Sequence, residues 1–155
     1  MDDLAIARAI HILALIHWIG GVSLVTLVIL PAVIRLADPE RRLQLFESIE
    51  QRFSFQAKIS VTLAGGSGLY MVWRYDIWDR FADLAFWWMH AMALLWLIFT
   101  LILFVGEPMF LHNWFHRRAA RDPAGTFALV LRLHRVLLSL AAITVLGAVV
   151  GVHGV

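Results

Sequence analysis

The stretch AIHILALIHWIGGVSLVTLVILPAVI, residues 9–34, contains no Asp, Glu, Lys or Arg. As a helix rising 1.5 Å per residue it is about 39 Å long, enough to cross a hydrocarbon layer about 30 Å thick. Lipid cannot satisfy backbone polar groups, so a segment of this kind has to be helical. Within it lie two imidazoles, His11 and His17, together with Trp18 and the pair Gly20-Gly21. Two readings of the histidines stand: polar groups satisfied by neighbouring helices, or ligands that hold a metal or a haem.

Three further runs repeat the pattern. Residues 53–73 are apolar apart from Lys58, whose long stem lets its ammonium reach the interface. Residues 84–108 carry one formal charge, at Glu107, and residues 126–152 are free of formal charge beyond Arg135. Composition agrees. Of the 155 residues, 61% are hydrophobic and 15% charged, and the mean hydropathy is +0.80. A soluble domain of this length needs far more polar surface. The expected architecture is an all-α integral membrane four-helix bundle, a single transmembrane domain spanning residues 1–155. The basic pI of about 9.7 is no nucleic-acid signal, because the basic residues sit between apolar runs. With no cysteine, disulfides, thiolate metal sites and the Cys-x-x-Cys-His attachment of a c-type haem are excluded. The opening MDDLAIARAIH has no small-residue cleavage site before the long run, and reads as the start of a mature helix.

Arginines set the expected orientation. Arg35, Arg41, Arg42 and Arg52 lie between the first two runs, with Lys58 just beyond. Arg117, Arg118 and Arg121 lie between the last two, and Arg132 and Arg135 open the fourth. The middle connection has Arg74 and Arg80 offset by Asp76, Asp79 and Asp83. By the positive-inside rule both termini face the outer, periplasmic side of a bacterial inner membrane. The polar segment ADPERRLQLFESIEQRF, residues 37–53, is a cytoplasmic helix that starts at Asp38-Pro39.

Depth organises the histidines. Counted from Arg8, His11 lies about 4.5 Å in and His17 about 13.5 Å in; counted from Asp83, His90 lies about 10 Å from the same side. His153 falls near the outer end of the fourth run, while His112, His116 and His134 gather at the inner side. His11 and His17 differ by about 240° around a helix and cannot share one metal from a rigid helix. His112 and His116 share a face, which suits a metal ion or an aromatic-and-basic belt with Trp114, Arg117 and Arg118. Gly65, Gly66 and Gly68 in AGGSGLY, with Gly20, Gly21, Gly147 and Gly151, lie at depths similar to the outer histidines. Small residues let helices approach closely, and they also leave room for a flat macrocycle. A b-type haem needs one or two imidazoles on facing helices and an apolar slot. On this reading His11, His17, His90 and His134 are the candidate axial ligands of haem iron, for one haem or two. The expected outer pair is His90 with His11 or His17. A second site would join His134 to His112 or His116. Arg8, Arg74 and Arg80 are the outer cations available to the propionates.

HILALIHWIGGVSLVTLVILPAV, residues 11–33, resembles the first span of CopD-like membrane domains: a His, an apolar run, Trp-x-Gly-Gly, and a proline near the inner end. RFSFQAKISVTLAGGSGLYMV, residues 52–72, resembles their next span. The same plan is similar to HemJ-type protoporphyrinogen oxidases. The resemblance implies a four-helix membrane protein linked to haem or copper, with the family histidine at His11. The lysine usual in the third span of these families is absent, and its position falls near His90. The Asn-Glu pair that opens the fourth HemJ span is replaced by His134-Arg135. The expected function is therefore a b-type haem protein with bis-His ligation, moving electrons between quinone and a redox partner as a membrane oxidoreductase. The alternatives are a HemJ-like porphyrinogen oxidase and a CopD-like copper-binding or transport protein, and homo-oligomerisation is left open.

Overall fold

The computed structural model describes residues 2–36 and 38–152, and its described residues are helical almost throughout. Helix α1 (Asp3–Leu24) runs through a π-helical stretch (Val25–Ile29) into α2 (Leu30–Leu36). Helix α3 (Pro39–Tyr75) is the longest, at 37 residues. Two short 3₁₀ turns (Trp78–Ala82 and Leu84–Phe86) lead into α4 (Trp87–Leu101). A second π-helical stretch (Ile102–Leu111), α5 (His112–Arg121) and α6 (Pro123–Val152) complete the chain. Three continuous helical segments, Asp3–Leu36, Leu84–Leu111 and Pro123–Gly151, are long and apolar enough to cross a membrane, which makes this a multi-pass membrane protein. The apolar second half of α3 shares one helix with the polar residues 39–52 rather than standing alone.

Local chemistry explains the boundaries. Asp38 precedes a proline at the first position of α3, where a missing N–H costs nothing. At the other end Asp76 adopts a left-handed conformation, φ 51°. Its N–H bonds to the Trp73 carbonyl at 3.3 Å and that of Ile77 to the Val72 carbonyl at 3.3 Å, the two bonds of a Schellman stop. Asp2 caps α1 by accepting from the Leu4 N–H at 3.2 Å. Both π-helical stretches go with a proline. Pro31 has no N–H for the Leu27 carbonyl and its ring crowds that turn, and the chain widens just upstream, the Leu30 N–H reaching back to the Val25 carbonyl. Pro108 lies inside the second stretch.

The most extensive packing is α1 on α3, followed by α4 on α6. One core cluster joins Ala14, Trp18, Val22, Val61, Ala64, Leu95, Phe99 and Ala141. At its centre the Trp18 ring meets Phe99 edge-on, centroids 4.8 Å apart. A second cluster, at the arginine-rich end, closes Phe46, Phe115 and Phe127 around Leu30 and Val33. Most of the glycines that bring helices together are filled by aromatic rings. Trp96 lies against Gly65, Trp87 against Gly147 and Trp88 against Gly151, each closely enough that a Cβ at the glycine would collide with the indole. Trp96 also donates its Nε1–H to the Val61 carbonyl at 2.9 Å, tying α4 to α3.

Candidate cofactor groove

The α1–α3 seam collects both histidines of the first run. His11 Nδ1 lies 2.9 Å from the Ala64 carbonyl and 3.1 Å from Ser67 Oγ. A carbonyl only accepts, so Nδ1 carries the proton and Nε2 keeps the lone pair. The ring rests on Gly68, where a Cβ would come within 3.2 Å of Cε1. Two turns further along, His17 Nδ1 is 2.7 Å from the hydroxyl of Ser60, which is buried. Both imidazoles thus have Nδ1 fixed by α3, and among the described residues neither Nε2 has a hydrogen-bond partner. A hydroxyl can donate or accept, so the Ser60 contact orients the His17 ring without choosing its tautomer; when Nδ1–H is the donor, Nε2 presents its lone pair, as in metal-ligating histidines.

His17 differs from His11 in what lies beside it. It lines an open groove of about 680 Å³ between α1 and α3, with Gly20, Gly21, Arg52, Phe53 and Gln56. Gly21 is closed by the Phe53 ring, whereas nothing stands within 4 Å of a Cβ built on Gly20. The wall is therefore apolar and flat at Gly20, and it leads from an imidazole to a guanidinium at the arginine-rich end. Ser48, Arg52, Gln56 and Ser60 follow one another at intervals of four on α3, which puts them on one face. Three of them line the groove and the fourth holds His17.

The other candidate ligands are held elsewhere. His90, at the start of α4, places Nδ1 3.1 Å from the Phe86 carbonyl and Nε2 3.0 Å from the Phe81 carbonyl. Both ring nitrogens thus face backbone carbonyls, and no described contact joins His90 to His11 or His17. His134 Nδ1 donates to the Val130 carbonyl of its own helix at 2.9 Å. His116 Nε2 lies 2.5 Å from Glu47 Oε1, tying α5 to α3. The side chain of His112 and the whole of His153 lie outside the described residues. The arginines expected on the outer side are engaged as well. Arg8 donates to Tyr75 Oη at 2.6 Å, Arg74 to Asp3 Oδ2 at 3.1 Å, and Arg80 lies over the Phe86 ring at 4.9 Å. Arg52, by contrast, has no ion pair among the described residues.

The structure also brings together a polar group that the sequence reading did not assemble. Glu107, in the second π-helical stretch, accepts a hydrogen bond from the buried Ser54 hydroxyl and pairs with Lys58 Nζ at 3.2 Å. Its sequence signal was the i, i+4 spacing of Ser54 and Lys58, which puts both on one face of α3. Among the described residues no three His, Asp or Glu side chains gather in a metal-binding cluster. Comparison with known proteins finds no matching family model, curated protein or solved structure.

Proposed function

We propose that the chain is a four-span protein of the bacterial inner membrane, with both termini outside, that binds b-type haem on His17 and carries electrons between quinone and a redox partner. The observation that carries this reading is the His17 environment: Nδ1 anchored by Ser60, Nε2 unclaimed, and an open apolar groove alongside. The arginine distribution supports the orientation and residues 53–73 of α3 supply the fourth span. The likeness of residues 11–33 and 52–72 to CopD-like and HemJ-type spans points toward haem from an independent direction. His11, with its tautomer fixed by the Ala64 carbonyl, is the next axial candidate on the same helix. Pairing with His90 requires that ring to release its two backbone carbonyls.

These residues fit the group. The imidazole supplies a ligand whose orientation and basicity Ser60 controls, and the slot beside it admits a planar ring at Gly20. Haem bound there would supply one-electron chemistry; the chain's own residues would bind and orient it. Expression with haem supplied, purification and a pyridine hemochrome assay test the proposal. The expected result is haem b in the wild type and a lost or altered spectrum in His17→Ala. A haem-free wild type, or an unchanged His17→Ala spectrum, overturns it.

A further inference from the structure

We infer that Arg52, flanked by Ser48 and Gln56, is the anchor for the two carboxylates of the haem, so that the ring hangs from the arginine-rich end of the bundle. This rests on the reading of His17 as haem ligand. It reverses the polarity expected from the sequence, in which Arg8, Arg74 and Arg80 received the carboxylates.

Three observations carry it. The first is supply. Every arginine named for the opposite end already has a partner: Tyr75, Asp3 or the Phe86 ring. Arg52 has no ion pair among the described residues, yet it lines the same groove as His17. The second is register. Arg52 stands eight residues before Ser60 on one face of α3, about 12 Å along the axis. A ligand held at His17 and reaching down that face meets Gln56 and then the guanidinium. The third is chemistry. An apolar groove with a single cation at its rim is complementary to an amphiphile that is flat and greasy over most of its area and anionic at one edge. Arginine suits that edge, because its planar fork binds carboxylate oxygens in pairs and it is weakly hydrated. Gln56 adds a neutral donor on the His17 side, whereas the Ser48 hydroxyl is already given to the Leu45 carbonyl at 2.8 Å.

The experiment uses the full chain in nanodiscs of phosphatidylcholine alone, so that no anionic lipid competes for Arg52. Apo-protein is titrated with haem b and with its dimethyl ester, which keeps the ring and iron but has no carboxylate charge. Wild type, Arg52→Gln, Arg52→Lys and Arg74→Gln are compared, with helical circular dichroism confirming that each variant is folded. The expected result is a loss of haem affinity of about tenfold or more in Arg52→Gln and less in Arg52→Lys. Affinity for the dimethyl ester then changes by less than about twofold in every variant. If Arg52→Gln leaves haem binding intact, or weakens haem and ester alike, Arg52 is not the carboxylate anchor, although haem binding at His17 survives. A tenfold loss in Arg74→Gln instead restores the opposite polarity. If the wild type binds neither compound, the haem reading fails and the anchor with it.

Discussion

The two ends of the α1–α3 seam use polar residues in opposite ways. At the N-terminal end Asp3, Arg8, Tyr70, Arg74 and Tyr75 are bonded to one another, and Gly68 is covered by His11. At the arginine-rich end the helices part beside Gly20, and Arg52 stands at the rim with no ion pair among the described residues. Two proline-linked π-helical stretches also lie in the halves of their spans away from the N-terminal end. Closure pairs the charged groups it touches and, among the described residues, leaves only the His11 Nε2 of that end's bonded side chains open. An unpaired cation next to an unfilled apolar wall has value only if something else comes to it, and such departures from regular helix recur at functional sites.

The largest expected effect tests whether the two ends belong to one cooperative body. Trp18 lies between them, 2% exposed, in contact with Phe99. Trp18→Ala should cost about 3–5 kcal/mol in detergent unfolding and lower both ends in a single transition. Two separated transitions would show that the closed end stands without the open one. The indole Nε1 is buried without a hydrogen-bond partner in the described structure. Trp18→Phe should therefore cost far less than Trp18→Ala, since it removes an unsatisfied donor along with some packing.

A second pair of substitutions compares the ends directly. Gly65→Ala drives a methyl into the Trp96 indole, and should cost about 1–3 kcal/mol in the same assay. Gly20→Ala meets open space, so it should be neutral or stabilise by up to about 1 kcal/mol through helix propensity. Equal costs at both positions would mean that the groove is closed in the membrane. A bulkier Gly20→Leu should keep the fold and exclude haem, measured as lost hemochrome.

Much of this was legible in the sequence. Charge-free runs mark the three long apolar helices, and Asp38-Pro39 marks the start of α3. What escaped was contact between helices. Depth alone made Gly65, Gly147 and Gly151 look like room for a macrocycle, but three tryptophans from α4 fill them. His90 reads as a free ligand until the 3₁₀ turns carry the Phe81 and Phe86 carbonyls to its ring, and short turns of that kind leave no periodic signal. Pro31 and Pro108 were visible, but the widening they bring depends on how each helix relaxes. In the sequence Arg52 reads as a topology signal, and only the contact of α3 with α1 gives its spacing from Gln56 and Ser60 a meaning.

The Ser54–Lys58–Glu107 group gives a third, smaller contrast, since it is a closed polar contact within the arginine-rich half. Ionisable residues inside a span are costly unless paired. Removing one partner, by Lys58→Met or Glu107→Gln, should cost about 1–2 kcal/mol, because both side chains remain about one-third exposed. The double variant should be less damaging than the sum of the two singles. Additive losses would show that the pair does not couple α3 to the π-helical stretch.

The smallest effect concerns the closed end and appears only with acid. Asp3 lies in the polar first turn of α1, outside the charge-free run. Hydrogen bonds from Tyr70 and Arg74 hold its carboxyl well below the usual carboxylate range. A group whose folded pKa is depressed contributes stability that is fully present above its unfolded value, about 3.9. That contribution is lost as pH falls from there toward the folded value. Wild type should therefore lose stability below about pH 4 by a component that Asp3→Asn lacks, and the two curves should converge in acid. Arg74→Gln should shrink the same component while leaving the Tyr70 bond in place. Because Asp3 is at the surface, salt should weaken the difference. If Asp3→Asn and wild type instead run parallel across that range, the bonds at the closed end form without stabilising it, and the contrast with Arg52 reduces to packing alone.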